Sequence, residues 1–564
     1  MQKYTIHIII YLSLLIMANT SLSGQNIHVA IDGSDDSGNG SISNPYASIT
    51  KAGSVVNAGD TVFVHGGTYH NTHFGDGNIW KIEKLATIVC NGSENAYIVF
   101  MPFPGDEVLL EYDANTGVII KNSSYVKFMG FEIKGPGENI TLEETQAAWG
   151  LYKDQEGNIH DLAEEMGIDI TDPDLLGQTL EKPPTPNIKK PGYFNGVGLM
   201  DLLSHHIIME NNTVSWATAS GMRVQRSDYT IVKGNRILYN TLRTSAGVGA
   251  LTVAEAQVIP EGDSYEGIKI ELIENDIHHN ENQIYSWAPS KSFIHFVIDE
   301  GSGIFLTRNN DTYDHGYILI ANNLSYLNGA SGIVVHKTNR AIVEHNTVYD
   351  NGTTNGEDAK PGGIGFNTTI DVTIRNNVSW SKPNKFALGK VGGTNVNLNI
   401  DSNLLFNNYG PQSVVKDVNS GWFEANPEFV DVDELDLSLS SSSPAIDRGI
   451  TTTIVTTDIM GTPRSDGHPD IGAYEFDYSA SNDHLFHDKQ KKLLAYPNPT
   501  NGIFFINISA KEIKSLKVFD LMGKQQAANI KLLETNKIEI DISSLNEGIY
   551  LIQTEMNSYK IIKQ

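Results

Sequence analysis

An apolar strand that ends in asparagine recurs down the middle of this 564-residue chain: IIMENNTVSW, TIVKGNRILYN, IELIENDIHHN, ILIANNLSYLNG, AIVEHNTVYDNG, VTIRNNVSW and LNIDSNLLFNN. Asn212 and Asn235 stand 23 residues apart, as do Asn323 and Asn346, and the gaps of 40 and 48 residues around Asn275 hold insertions. A unit this short cannot bury its apolar face alone, so it must stack on copies of itself. Period-2 strands with Asn at the turns make that stack a parallel β-helix, in which asparagines bond one another and the backbone along the axis.

A second series runs ahead of these strands. Glycine-led segments begin at Gly196 (GVGLMD), Gly221 (GMRVQR), Gly247 (GVGALT), Gly303 (GIFLTR), Gly332 (GIVVHK) and Gly363 (GIGFNT). Their first and third positions are mostly apolar, as in Met222 and Val224, Ile304 and Leu306, Ile333 and Val335, Ile364 and Phe366. The polar positions carry Arg223, Gln225 and Arg226, then Thr307 and Arg308, then His336 and Lys337, then Asn367. Rungs of a solenoid lie about 4.8 Å apart, which makes Arg308 and Lys337 neighbours and sets Arg226 about 10 Å from Arg308. The chain has a net charge of −27. A basic strip on such a molecule suits an anionic ligand, while the overall balance argues against nucleic acid or an anionic membrane as partner.

Residues 1–24 read as a secretory signal, with Lys3, the apolar run IIIYLSLLIM, and the small residues Ser21, Ser23 and Gly24. No later run approaches the roughly 18 apolar residues of a membrane span, so an exported monomer without a membrane span is expected. Cys90 is the single cysteine, which rules out an intrachain disulfide; its setting, TIVCNGS, is that of a small residue packed in a strand.

The opening IHVAIDGSDDSGNGSISNPYASITKAGSVVNAGDTVFVHGGTY, followed by YIVFMPFPGDEVLLEYDANTGVIIKNSSYVKFMGFEI, resembles the N-terminal coils of secreted right-handed parallel β-helix proteins. That group contains many polysaccharide lyases. NPEFVDVDELDLSLSSSSPAIDRG and DIMGTPRSDGHPDIGAYEF are similar to its closing coils, so the resemblance spans about 25–476. It implies an all-β solenoid. After a polar linker at 477–490, the strands LLAYPNPTNGIFFINI, SLKVFDLMGK and IDISSLNEGIYLIQT resemble the C-terminal sorting domain of the type IX secretion system, over about 491–564. That resemblance implies a small β-sandwich, the type IX secretion machinery as partner, and export through the periplasm to the cell surface or medium.

Two insertions interrupt the coils, at about 135–194 and 281–301. The first contains helical stretches (TLEETQAAWGLYKDQ, HDLAEEMG), and the second carries Tyr285, Trp287, Phe293, His295 and Phe296. Loops on a rigid scaffold are where binding residues concentrate, and Trp287 is the candidate to stack on a sugar ring.

An acidic glycan is the ligand these residues suit. Eliminating the group at carbon 4 of a uronate needs its carboxylate neutralised, a base for the proton on carbon 5, and an acid for the leaving oxygen. Arg223, Arg226 and Arg308 are the expected carboxylate or sulfate binders, with Gln225 and Asn367 beside them. Lys337, crowded by Arg308 and His336, is the expected base, His336 the acid, and Tyr313 and His315 further candidates. The products would be 4,5-unsaturated uronate ends, from substrates that include sulfated, algal-type glycans. Three alternatives stand: an oligosaccharide dehydratase expelling water from a terminal uronate, a glycoside hydrolase, and a non-catalytic glycan-binding β-helix. Hydrolysis needs two facing carboxylates, and the strip offers Asp201 alone. Asp299 and Glu300 form a pair able to take calcium, although no cofactor is required by the scheme.

Overall fold

The structure, a computed structural model, describes residues 24–476 except 186, 299, 314, 354–361, 409–412 and 466. In the C-terminal domain it describes 500, 502–507, 516–520, 524–534, 537–546, 548–553 and 558–563. The expected signal segment before residue 24 and the linker at 477–490 lie outside the described residues.

Each coil is three short strands, and each strand pairs in parallel with its equivalent one coil away. The first sheet stacks Thr116–Lys121, Val197–Leu202, Met222–Gln225, Leu251–Ala254, Ile304–Thr307 and the starts of Ile333–Glu344, Ile364–Arg375 and Leu388–Asp401. The second stacks Ser124–Met129, His205–Glu210, Asp228–Lys233, Ile268–Ile273 and Tyr317–Ala321. The third holds Glu132–Lys134, Thr213–Ser215, Arg236–Leu238, Asp276–His278, Leu324–Tyr326, Thr347–Tyr349, Val378–Trp380 and Asn403–Phe406. Alternation drives this: in Met222–Gln225 the apolar Met222 and Val224 are buried in the axial core while Arg223 and Gln225 face out.

The corners follow one rule, a left-handed residue followed by a buried one, usually polar. Between the second and third sheets Gly234, Glu274, Asn322, His345, Asn376 and Ser402 have φ between 50° and 65°. The buried residue after each is Asn235, Asn275, Asn323, Asn346, Asn377 and Asn403, joined to Asn212 in one ladder by side-chain amide bonds of 2.9–3.1 Å. Each amide also donates to a backbone carbonyl, as Asn275 does to Val232 at 2.9 Å. A second ladder, Asn240, Asn280, Asn328 and Asn351, runs five residues further along each coil, with bonds of 2.9–3.0 Å. The expected asparagine stack is therefore present, and doubled.

Two of the glycine-led segments are framed differently from the sequence expectation. Leu199 and Leu251 lie opposite Met222, so Gly198 and Ala250 occupy the place of Gly221, not Gly196 and Gly247. Loop residues ahead of the strand shift the frame. As a result Asp201 lies opposite Val224 and faces inward.

The start of the stack is covered by a helix. The helix Ile49–Gly53, capped by the Ser48 hydroxyl accepting from the Lys51 amide, buries Ile49 and Ala52 at the first coil. The segment after the last coil turns back, and its Phe429, Leu437, Ile471 and Tyr474 pack on the outer face of the third sheet against Leu324, Val378 and Leu404. A helix over the first coil protects its strand edges from pairing with other chains. Cys90 is buried, and burial pushes its thiol up to about 12.

The two insertions build one accessory layer. Strand Thr179–Glu181 pairs antiparallel with Phe293–His295, and Trp149, Leu162, Leu175, Trp287 and Phe296 share a core. Helices form at Leu142–Ala147, with a Thr141–Glu144 capping box, and at Leu162–Met166. Between them Leu151–Lys153 is a strand, where a helix had been expected.

The C-terminal domain is described by itself. A three-stranded antiparallel sheet (Ile503–Asn507, Lys537–Asp541, Asn529–Glu534) accompanies a four-stranded one (Gln525–Gln526, Lys517–Asp520, Gly548–Gln553, Ser558–Lys563). Phe504, Ile506, Val518, Ile538, Ile540, Tyr550, Ile552 and Ile561 form its core.

Candidate functional site

At the corner between the first and second sheets the left-handed residues are Leu203, Arg226, Glu255, Arg308, Lys337 and Thr368, with φ of 53°, 52°, 53°, 56°, 44° and 54°. Their successors Ser204, Ser227, Ala256, Asn309, Thr338 and Thr369 are buried and turn back toward the coil. A left-handed residue sends its own side chain outward at the bend, so Arg226, Arg308 and Lys337 are exposed in a column. The same local rule that stacks asparagines inside the solenoid thus stacks cations outside it.

Glu255 stands in that column, between Arg226 and Arg308. Its two oxygens accept from Arg226 Nε at 2.9 Å and Arg308 Nε at 3.1 Å. Burial pushes the Glu255 carboxyl up, but the two guanidinium bonds outweigh it and hold the group below its ordinary value. One carboxylate serves two arginines, so the cluster keeps a positive excess. The misplaced frame at Gly247 hid Glu255; a corner rule read from Gln225-Arg226-Ser227 and Ala254-Glu255-Ala256 would have found it.

Arg223 projects from the middle of the same face. Its guanidinium reaches the Ser220 hydroxyl at 3.2 Å, its Nε has no hydrogen-bond partner, and no carboxylate pairs with it among the described residues. Burial, with Arg308 close by, lowers its pKa to about 10. Gln225, Thr307, His336 and Asn367 follow one another across the rungs in register. His336 Nδ1 lies 3.2 Å from the buried Thr307 hydroxyl, and its ring stacks on Phe305. Arg223, Arg226, Arg308, His336 and Lys337 therefore share one face and edge of the first sheet.

Several expected residues lie elsewhere. Tyr313 is buried in the axial core and donates to Asp228 at 2.7 Å, an environment that burial and Asp228 push far above a useful acid; it does not meet solvent. His315 precedes strand Tyr317–Ala321 of the second sheet, where its Nδ1 lies 3.5 Å from Glu266. Trp287 is no open stacking platform: it is 4% exposed, and its indole donates to the Trp149 carbonyl at 2.8 Å. Asp201 sits in the core, accepting from Thr230 at 2.7 Å, and burial pushes its carboxyl up to about 7 against hydrogen bonds from Thr230, Ser227 and Ser204. His206 stacks between Tyr125 and Tyr229, with 4.4 Å between ring centres on both sides. Among the described residues no group of three His, Cys, Asp or Glu side chains is arranged to hold a metal ion, and Asp299 lies outside them. No helix among them is long and apolar enough to cross a membrane.

A second feature escaped the sequence reading. Lys190, from the end of the first insertion, sits over the Trp287 ring, 4.2 Å from its centre, and donates to Ser245 Oγ at 2.6 Å. The two line a cleft of about 370 Å³ with Asn115, Asn195 and Gly247.

Residues 27–170 match the Pel9A-like right handed beta helix region, 187–378 the right handed beta helix region, and 494–564 the secretion system C-terminal sorting domain. No curated protein matches the sequence. Similar solved structures include the pectate lyase Pel9A, 15% identical over 81% of this chain and 97% of that one, with a TM-score of 0.41. A rhamnogalacturonan lyase is 12% identical over 74% and 96%, with a TM-score of 0.32. A GH136 lacto-N-biosidase from Eubacterium ramulus is 12% identical over 71% and 57%, with a TM-score of 0.31. The chain thus has the right-handed parallel β-helix fold, with a Pel9A-like region in its first coils, and its sorting domain sends it by type IX secretion to the cell surface or extracellular space.

Proposed function

We propose that this protein is a carbon–oxygen lyase that cleaves uronate-containing glycans by β-elimination at the cation column. The observation that carries the reading is the positive excess of Arg223, Arg226, Arg308 and Lys337 over the single carboxylate Glu255. On a molecule of net charge −27, such a cluster persists at a cost in repulsion unless an anion completes it.

Arginines binding the uronate carboxylate withdraw charge from carbon 5 and stabilise the enolate-like intermediate. Lys337 is the base that takes the carbon-5 proton. The electron pair left behind forms the C4–C5 double bond, the C4–O bond breaks, and His336 delivers a proton to the leaving oxygen. Glu255 fixes two guanidinium forks without cancelling them. Hydrolysis is the poorer fit, because it needs two free carboxylates flanking the bond, whereas both Glu255 oxygens are engaged and Asp201 faces the core.

The test is ultraviolet absorbance of the conjugated unsaturated uronate over a panel of acidic glycans, with product size measured in parallel. Lys337→Met and Arg308→Ala should each lower kcat/KM by about 100-fold or more, with little change in melting temperature because both side chains are exposed. New reducing ends without absorbance would make it a hydrolase, absorbance without shorter products a dehydratase, and neither signal a binding protein.

A further inference from the structure

We propose that the cleft beneath Lys190 is a saccharide subsite that takes the carboxylate of a terminal uronate and closes the groove at one end. The proposal rests on the reading that the substrate is a uronate glycan, and adds where the chain end sits. Asn115 immediately precedes strand Thr116–Lys121, Asn195 lies just ahead of Val197–Leu202, and Gly247 lies just ahead of Leu251–Ala254. The cleft therefore opens at the starting edge of the first sheet, whereas Arg226, Arg308 and Lys337 stand at its finishing edge. Arg223 lies between, reaching back toward that starting edge through Ser220. A strand of four residues spans roughly 13 Å, a length that suits more than one sugar ring across the face.

The far wall is the accessory layer. Lys190 donates to Ser245 Oγ at 2.6 Å and to the Trp287 carbonyl at 3.2 Å. Among the described residues neither Lys190 nor Lys182, whose Nζ is 6.0 Å from the centre of the same indole, pairs with a carboxylate. Two lysines gathered on one indole, both desolvated and neither paired with a carboxylate among the described residues, make this wall basic, while Glu300 approaches the cleft at Gly247. A volume of about 370 Å³ is in the range of small-ligand sites, and Asn115 adds an amide suited to hydroxyls, while the Asn195 amide is held by Pro191 and Thr244. Burial lowers Lys190 to about 7, so near neutral pH an arriving carboxylate would draw a proton onto it. The other charged groups at this wall are Lys182, Lys189 and Glu300, whose carboxylate comes within 2.9 Å of where a Gly247 side chain would start.

The probes are galacturonate and glucuronate, with galactose and glucose as neutral controls, titrated calorimetrically into the full-length secreted protein. The uronates should bind at least about tenfold more tightly than the neutral sugars. At pH 7.5, an arbitrary working value of roughly neutral pH, binding to the unaltered protein should take up a proton fraction, read from the buffer dependence of the enthalpy. Lys190→Gln should lose the uronate preference, and Arg308→Ala should keep it while losing elimination. Absence of proton uptake, or uronate affinity that survives Lys190→Gln and vanishes in Arg308→Ala, overturns the proposal. So does an active lyase that binds no uronate monosaccharide. Uronate captured at Lys190 by a protein inactive on every glycan would instead remove the lyase reading and leave the subsite standing.

Discussion

Glu255 decides how the cation column is held. Exposed ion pairs are worth about 0–1 kcal/mol, so Glu255→Gln should barely move the melting temperature. Its effect belongs to geometry: two guanidiniums fixed on one carboxylate lose their common anchor. We expect kcat/KM on acidic glycans to fall by about tenfold. Unchanged kinetics would show that the arginines are oriented by something else. Asp201 poses the opposite case, a carboxyl buried in the axial core with a pKa raised to about 7. Between its unfolded value near 4 and that folded value the native state holds the extra proton, so its contribution to stability falls as pH rises through this window. Asp201→Asn keeps a partner for Thr230 and cannot ionise. It should stabilise the protein by about 2 kcal/mol at pH 8 and by much less at pH 4, as read from denaturant midpoints. Equal effects at both pH values would mean that the carboxyl is not strained.

At the scale of the coil, the asparagine ladders do what the apolar core cannot. Dispersion and burial hold rungs together without specifying register, whereas each ladder amide meets its neighbour at one height only. Asn275 bonds forward to Asn323, accepts from Asn235, and caps Val232. Asn275→Ala leaves several buried polar groups unpaired at about 1–3 kcal/mol apiece, so a loss of about 3 kcal/mol or more is expected by denaturant titration. A loss below about 1 kcal/mol would show that water replaces the amide. The exposed neighbour at such a corner is free to vary, which explains how one bend carries Leu203, Arg226, Glu255, Arg308 and Lys337 in turn. Tyr313 shows the limit of element-level reading. It follows Arg308 closely in sequence, yet the loop folds it inward onto Asp228, because a phenol offers both apolar surface and a donor for that carboxylate.

For the whole molecule, charge sets how an acidic glycan arrives. The net charge of −27 repels a polyanion at long range, while the column attracts it at short range. The screening length is about 30 Å at 0.01 M salt and about 10 Å at 0.1 M. Between those conditions repulsion from the whole surface fades before the local attraction does, so kcat/KM should rise, then decline toward about 1 M. A monotonic fall from the lowest salt would contradict this picture.

The coil repeat was legible because it is local. Strand alternation and an asparagine at the corner between the second and third sheets recur within about 23 residues, and both are imposed by a backbone that must bend and bury its amides at the same place in every coil. The sorting domain was legible for the same reason, as a compact run of short strands at the end of the chain. Sequence alone also brought Arg308, His336 and Lys337 onto neighbouring rungs, since parallel pairing converts fixed offsets into columns. What it could not decide was anything that depends on frame or on distant segments. Ala250 in place of a glycine hid Glu255, and a two-residue shift of frame moved Asp201 from the outward corner position of Arg226 to the inward strand position of Val224. Lys190 met Trp287 only because two insertions nearly a hundred residues apart pair their strands, and no periodicity records that encounter.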